Sequence, residues 1–338
     1  MIVLAIESSC DETSSSVVCD NIDCNKRILS NIINSQIHIH SKYGGVIPEY
    51  AARNHLDCID AVINQSLKYA NVSLNEIEII TATAGPGLIG GLLVGMVTAK
   101  SIALFAKKPF MAINHLEGHL LTTRLCYDVE MPYLTLLASG GHFSFIEVLG
   151  IGNYKILGET LDDAAGEAFD KVAKMLGFPY PGGPSIQEAA KKGDKNRFYY
   201  TIPLAKRAGC DASFSGIKTA TRLHIQKISE LTEQDKFDIA ASFQNIVSSF
   251  ILKQLKKAHK MTSSDIKNIV ISGGVAANIE IRQKIQEFCL EQNLNYYVPP
   301  IELCSDNAAM IGWAAIERIR SGYCYSSLNA KTRPKWPL

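Results

Sequence analysis

Two histidines, His115 and His119, stand four positions apart in the segment NHLEGH at 114–119. Residues with this spacing lie on one face of a helix, so both imidazoles can bind one divalent metal ion. An arbitrary pair with this spacing is more often two ordinary surface histidines. Two imidazoles leave coordination positions open, and a carboxylate as third ligand would suit iron or zinc. Asp306 is the candidate, although spacing alone favours a helix N-cap there.

The segment differs from the zinc-protease motif H-E-x-x-H, in which the glutamate directly follows the first histidine. Here Leu116 occupies that position and the carboxylate is Glu117. At ~100° per residue, Glu117 lies roughly 200° around a helix from His115. We therefore expect Glu117 to point away from a metal, and the protease motif is absent.

Two glycine-rich turns follow predicted strands: SGGH at 139–142 follows the strand 133–138, and SGGVAAN at 272–278 follows 268–271. Glycine after a strand allows the backbone to approach a ligand, and free N–H groups at a helix start favour an anion. Each turn alone is as readily a purely structural turn. Because the turns occur in different halves of the chain, together they predict a ligand held between two lobes.

The elements that would carry these residues alternate between β-rich runs and helical segments, which is typical of an α/β fold. A strand at 2–6, a polar loop at 7–14 and a second strand at 16–19 predict a hairpin with a polar tip. The runs 133–138 and 143–149 repeat that arrangement.

The uncharged stretch 79–99 is the one segment that suggests a membrane span. Gly85-Pro86-Gly87 and Gly90-Gly91 interrupt it, and Lys100 follows it. A strand, a glycine turn and a buried helix explain this pattern better than a transmembrane helix does.

The composition sets the class of protein. The 338 residues suffice for two domains, and a charged fraction of 20% is too low for a disordered chain. With Lys+Arg 34 against Asp+Glu 33, the net charge of +1 argues against a uniformly basic nucleic-acid binder. Nine cysteines without a C-x-x-C pair, and an N-terminus without signal-peptide features, predict a reducing, cytoplasmic location.

Taken together, the motifs resemble the TsaD family, the tRNA N6-adenosine threonylcarbamoyltransferases. The resemblance spans essentially the whole chain and rests on these segments: AIESSCDETS at 5–14, GGVIPEYAARNH at 44–55, GPGL at 85–88, NHLEGH at 114–119, SGGH at 139–142, DDAAGEAFD at 162–170, YPGGP at 180–184, GGVAAN at 273–278 and DNAAM at 306–310. It implies the actin-like ATPase fold of the sugar kinase, Hsp70 and actin superfamily, with two RNase H-like lobes around a nucleotide cleft. The expected lobes are residues 1–128 plus 307–338, and residues 129–306.

The resemblance also implies roles for particular residues. One divalent metal, Fe2+ with Zn2+ as the alternative, would be bound by His115, His119 and Asp306. Threonylcarbamoyl-AMP would be bound by Leu137, Ala138, Ser139, Gly140, Gly141, Asp170, Gly183 and Asn278. Some relatives have a carboxylate where this chain has Gln187. The sequence leaves the general base open among His142, Asp11 and Glu12.

The implied reaction transfers the threonylcarbamoyl group to N6 of adenosine 37 in tRNAs that read codons beginning with A. The implied partners are tRNA and the subunits TsaB and TsaE, with the region Val46 to Ser66 as a docking surface. Local basic clusters would contact tRNA: Lys191, Lys192, Lys195 and Arg197; Lys206 and Arg207; Lys253, Lys256, Lys257 and Lys260; and Lys331, Arg333 and Lys335. The alternatives are a small-molecule kinase or ATPase, a metalloprotease, and a nucleotide-sensing scaffold that would not need the metal ligands.

Overall fold

A computed structural model describes residues 1–204, 207–263 and 265–338. The chain divides into two compact units, Met1–Val129 with Ser305–Leu338, and Glu130–Cys304. Asp306 therefore belongs to the first unit, although the lobe boundary expected from the sequence assigned it to the second. We number the elements along the whole chain.

The first unit contains a five-stranded sheet. Its elements are β1 (Ile2–Glu7), β2 (Glu12–Cys19), β3 (Ile28–Ser35), β4 (Ile79–Gly85) and β5 (Phe110–Asn114), with helices α1 (Ile37–His40), α2 (Pro48–Ala70), α3 (Ile89–Ala106), α4 (His115–Cys126) and α10 (Ala308–Arg320). The strand order is β3-β2-β1-β4-β5, in which β1, β4 and β5 are parallel and β2 is antiparallel to its neighbours. The carboxyl ends of the three parallel strands thus share one edge of the sheet.

The second unit has the same topology. Its elements are β6 (Tyr133–Ala138), β7 (Phe143–Gly150), β8 (Asn153–Glu159), β9 (Asn268–Ser272) and β10 (Asn295–Tyr297), with helices α5 (Ala165–Leu176), α6 (Gly182–Ala190), α7 (Ser215–Lys227), α8 (Glu233–Met261) and α9 (Ile279–Glu291). The order β8-β7-β6-β9-β10 repeats the antiparallel and parallel pairings of the first sheet. The predicted α/β class and the doubled hairpin are confirmed.

Two sequence expectations need correction. The first hairpin is tighter than predicted, because β2 begins at Glu12 and pairs Ser14 with Glu7. Both glycine turns lie in the second unit, since β6 and β9 are neighbouring parallel strands of one sheet. The two glycine turns lie in different halves of the chain but in the same structural unit. Their separation in sequence therefore does not indicate a ligand held between two lobes.

Helix α3 follows β4 as predicted, but it is less buried than expected. It is long and apolar enough to cross a membrane by length and composition alone, and 39% of it is buried in the protein. Its inner face packs against the sheet core through Leu92, Met96 and Ala99. Its outer face exposes several large apolar side chains.

Candidate metal centre and substrate loops

The two histidines lie in the first turns of α4, immediately after β5. Asn114 ends the strand and caps the helix, since its Oδ1 accepts hydrogen bonds from the N–H groups of Leu116 and Glu117. This cap fixes the helix start at the edge where the parallel strands end. His115 and His119 are therefore held on a rigid element, and both are buried.

Asp306 reaches the histidines from the start of α10. Asn307, rather than Asp306, caps that helix, because its Oδ1 accepts from the N–H of Met310. The alternative reading of Asp306 as the N-cap is therefore wrong. Helices α4 and α10 pack closely at Gly118, where a Cβ would stand 2.8 Å from Ile311 Cδ1. Close packing there brings the carboxylate to the imidazoles.

The three side chains form a compact donor set. Asp306 Oδ1 lies 3.0 Å from His119 Nε2 and 3.5 Å from His115 Nε2. One donor atom from each of the three residues lies within 4.8 Å of the others. Two imidazole nitrogens and a carboxylate oxygen suit iron or zinc, so these residues can hold a metal ion.

Glu7, at the end of β1, is a fully buried neighbour of this donor set that the sequence reasoning missed. Its Oε2 lies 3.0 Å from His115 Nδ1 and also accepts a hydrogen bond from Thr83 Oγ1. Burial favours the neutral form of each partner, but the charges of Asp306 and Glu7 outweigh it and raise the pKa of His115 to about 9. Burial raises the pKa of Glu7, but the charge of His115 outweighs it and lowers that pKa overall.

Glu117 makes a separate ion pair. It is fully buried, and its Oε2 accepts a hydrogen bond from Arg318 Nε at 2.6 Å. The carboxylate is thus held by α10, as expected from its angular position on the helix. The arrangement differs from that of a zinc protease, in which this group would face the metal-bound water.

The candidate bases are divided between the units. Asp11 is buried and Glu12 half-buried at the β1–β2 turn, whereas His142 follows the glycine turn after β6. Burial, followed by the charges of Asp11 and Asp306, raises the pKa of Glu12 well above its ordinary value. His142 N–H donates to Ser139 Oγ, which tightens the turn.

The second unit brings together the residues expected to bind substrate. The turn after β6 contacts two other glycine segments, because a Cβ on Gly273 would stand 2.5 Å from Ala138 O and one on Gly166 would stand 2.8 Å from Gly140 Cα. Gly140 O also accepts a hydrogen bond from the N–H of Glu167, at the start of α5. The strand-end turn is therefore held between β9 and α5.

The remaining expected substrate residues continue this set of contacts. Asp170 Oδ1 accepts from the N–H of Gly182 at 2.7 Å, which fixes the start of α6 beside α5. Gln187 Oε1, one turn further along α6, accepts from the N–H of Ile279 at 2.7 Å. Asn278 caps α9 through the N–H of Ile281 and donates from Nδ2 to Gln244 Oε1. Hydrogen bonds thus link the glycine turn after β6 to α5, α5 to α6, and α6 to the start of α9.

Several glycines at this region have no packing reason to be glycine. A Cβ on Gly140, Gly141 or Gly183 would meet no atom within 4 Å, and none of the three has a positive φ. In contrast, a Cβ on Gly182 would stand 2.5 Å from Asp170 Cα. Neither backbone conformation nor packing thus requires glycine at these three positions. A ligand that approaches the backbone closely would require it, as the sequence analysis expected.

Some basic residues proposed for tRNA contact are already engaged within the protein. Arg197 is paired with Asp235 and Asp238, and Arg333 lies over the Trp336 ring. Lys206 lies outside the described residues.

Comparison with known proteins supplies further findings. The sequence profile of TsaD, described as tRNA N6-adenosine threonylcarbamoyltransferase, matches residues 27–313. A protein of that name from Rhizobium etli is 48% identical over 100% of this chain and 94% of its own length. One from Paramagnetospirillum magneticum is 47% identical over 100% of this chain and 97% of its own length.

Solved structures with much lower identity share the fold. Full-length HypF in a phosphate- and nucleotide-bound form matches with a TM-score of 0.59 and 14% identity, over 96% of this chain and 47% of that one. Component A of the Acidaminococcus fermentans (R)-2-hydroxyglutaryl-CoA dehydratase matches with a TM-score of 0.53 and 16% identity, over 93% of this chain and 99% of that one. The expected actin-like ATPase fold is thereby confirmed.

Proposed function

The chain belongs to the TsaD family of tRNA N6-adenosine threonylcarbamoyltransferases, and from this premise we propose that it transfers the threonylcarbamoyl group of threonylcarbamoyl-AMP to N6 of adenosine 37 in tRNAs reading codons that begin with A. The new bond joins N6 to the carbamoyl carbon. The bond from that carbon to the phosphate oxygen breaks, AMP leaves, and the N6 proton passes to a base.

His115, His119 and Asp306 would hold one divalent metal, Fe2+ or Zn2+. The observation that carries this assignment is the approach of both imidazoles to one carboxylate oxygen. Asp306 Oδ1 lies 3.0 Å from His119 Nε2 and 3.5 Å from His115 Nε2. When bound, the metal would supply Lewis-acid stabilisation of negative charge that develops on the carbonyl or phosphate oxygens. The protein keeps the three donors aligned by the caps at Asn114 and Asn307.

Leu137, Ala138, Ser139, Gly140, Gly141, Asp170, Gly183 and Asn278 would bind the adenylate. The open glycines support backbone contact with its phosphate or base. Asp170 is a carboxylate that can accept hydrogen bonds from a hydroxyl, and Asn278 retains hydrogen-bonding capacity beyond its cap. Such positioning lowers the entropic cost of bringing a weakly nucleophilic amine to the carbonyl carbon.

Glu12 is the base that we propose among Asp11, Glu12 and His142. A general base works best when its pKa lies near the operating pH, and the pKa of Glu12 is shifted upward from the acidic range. Replacing it with Gln should lower the transfer rate by about 10² while leaving adenylate binding intact. An unchanged rate for Glu12→Gln would reassign the role to His142 or Asp11.

TsaB and TsaE are the proposed protein partners, and α2 with α3 is the proposed docking surface. Leu93 and Val97 stand one turn apart on α3 and are 47% and 57% exposed, and Leu56 on the neighbouring α2 is 65% exposed. We propose that TsaB covers this apolar face. Val97→Glu should weaken association with TsaB in a sedimentation assay, and an unchanged complex would exclude this surface.

One experiment tests the proposed function directly. The chain is incubated with TsaB, TsaE, threonylcarbamoyl-AMP and unmodified tRNA, and the digested tRNA is analysed for modified adenosine by mass spectrometry. We expect product from the wild type and strongly reduced product from folded His115→Ala. Absence of product with all partners present would contradict the transferase proposal, and full activity of metal-free His115→Ala would contradict the metal's role alone.

A further inference from the structure

We propose that Glu7 is a positioning residue that fixes the proton of His115 on Nδ1, so that Nε2 remains available to a metal ion. The inference rests on the proposed metal site. Glu7 is fully buried at the end of β1, on the side of the imidazole opposite Asp306. It does not belong to the donor set of His115, His119 and Asp306.

The distances define which nitrogen faces which group. His115 Nδ1 lies 3.0 Å from Glu7 Oε2, and His115 Nε2 lies 3.5 Å from Asp306 Oδ1. A carboxylate only accepts hydrogen bonds, so the nitrogen beside Glu7 must carry a proton. A carboxylate behind a ligating histidine also fixes the ring orientation and raises the basicity of the nitrogen that binds the metal.

The surroundings of Glu7 hold the carboxylate in this role. Glu7 Oε1 accepts from the N–H of Ser9, and Oε2 accepts from Thr83 Oγ1. Ser9 Oγ also lies 3.1 Å from His115 Nδ1, but a hydroxyl can donate or accept and therefore suits either tautomer. Of these two neighbours of His115 Nδ1, only the Glu7 carboxylate favours one tautomer of the ring over the other.

This arrangement makes Glu7→Gln an informative substitution of nearly unchanged shape. The backbone N–H of Ser9 requires an acceptor, so the amide oxygen should take the Oε1 position and the NH2 group should take the Oε2 position. That NH2 would donate to His115 Nδ1, and the ring proton would move to Nε2. The nitrogen that faces Asp306 would then be blocked.

The test measures Zn2+ affinity by competition with a chromophoric chelator. We expect Glu7→Gln to bind Zn2+ about 10- to 100-fold more weakly than the wild type, the usual effect of losing such a partner. Glu117→Gln is the matched control, because Glu117 is equally buried and lies on α4 but is paired with Arg318. Its Zn2+ affinity should equal that of the wild type.

A second measurement needs no Glu7 variant and remains informative if Glu7→Gln does not fold. Nitrogen-15 NMR of the histidine-labelled, metal-free wild type, assigned with His115→Ala and recorded as the pH is raised above the His115 pKa of about 9, identifies the nitrogen that keeps its proton in the neutral ring. A proton on Nδ1 supports the inference, and a proton on Nε2 overturns it.

The outcomes separate this inference from the metal assignment. Loss of Zn2+ binding in His115→Ala with wild-type affinity in Glu7→Gln overturns the role of Glu7 alone. Wild-type affinity in His115→Ala overturns the metal site itself, and the role of Glu7 with it.

Discussion

The two units build the same five-stranded sheet, yet their candidate functional regions use different parts of the chain. In the first unit, charged side chains meet where β1 and β5 end, and the His115 ring lies between the carboxylates of Glu7 and Asp306, 3.0 and 3.5 Å from them. In the second unit, the turn after β6 presents backbone N–H and C=O groups. A Cβ on Gly140 or Gly141 in this turn would meet no atom within 4 Å.

The difference has a physical origin. Buried charges are costly unless they are paired, so the first region must be organised before any ligand arrives. A polar backbone at a surface turn carries no such cost, and the second region can remain open. Substitutions should therefore act on metal binding in one unit and on ligand contact in the other.

The largest expected effect is that of His119→Ala. It removes one of two imidazoles that approach Asp306, and the loss of several kcal/mol of Lewis-acid stabilisation should lower transfer by about 10²- to 10³-fold. Binding of AMP, which we propose occurs in the second unit, should be unchanged when measured by calorimetry. If His119→Ala lost AMP binding as well as metal binding, the proposal that the first unit binds the metal and the second unit binds the adenylate would be contradicted.

The next effect is a pH dependence confined to the first unit. The pKa of His115 is raised from 6.5 to about 9, so the folded protein holds this proton more tightly than the unfolded chain does. The resulting stabilisation is fully present below pH 6.5 and is lost as the pH rises through about 9. Its upper limit is about 3 kcal/mol, by the conversion of pKa shifts to free energy.

Urea unfolding of the chelator-treated protein at pH 6.5 and pH 9.5 measures this loss. His115→Ala serves as the control because it lacks the titrating group, and its stability should change less over the same interval. Equal pH dependence of the two proteins would show that other groups cause the loss.

The sequence predicted the candidate metal ligands, but it did not predict Glu7, the carboxylate beside His115. Imidazoles and carboxylates are chemically distinctive, so His115, His119 and Asp306 could be proposed from residue type and family resemblance. Glu7 was missed because its role depends on parallel pairing of β1 with β4 and β4 with β5, which brings residues distant in sequence to one sheet edge. Strand order could not be read from hydrophobic periodicity alone.

The fold shows the same division between local and non-local information. The strand at the N-terminus follows from a local pattern and was found. The burial of α3 was overestimated because composition cannot distinguish a core face from an exposed apolar face. The two glycine turns were expected to hold a ligand between lobes because sequence separation does not reveal that β6 and β9 are adjacent.

A smaller effect distinguishes neighbouring glycines at the start of α6. A Cβ on Gly182 would stand 2.5 Å from Asp170 Cα and 2.6 Å from Phe169 O, so Gly182→Ala should lower the free energy of unfolding by about 1–3 kcal/mol. Gly183→Ala meets no atom within 4 Å and should leave that free energy unchanged or slightly raised, because alanine favours helix. Urea unfolding of both variants tests the contrast, and equal destabilisation would remove the evidence that Gly183 is kept for a ligand.

The smallest expected effect isolates the open turn itself. Gly140→Ala adds one methyl group where the protein has no atom within 4 Å, so stability should change by less than about 0.5 kcal/mol. If the adenylate approaches this backbone, the KM for threonylcarbamoyl-AMP should nevertheless rise about tenfold, equivalent to about 1.4 kcal/mol of lost binding. Gly216→Ala on α7 is the matched control, because its Cβ also meets no atom within 4 Å and it lies outside the proposed site. A KM that is unchanged in both variants would mean that Gly140 is a turn residue only, and the open backbone would no longer distinguish the second unit as the adenylate-binding one.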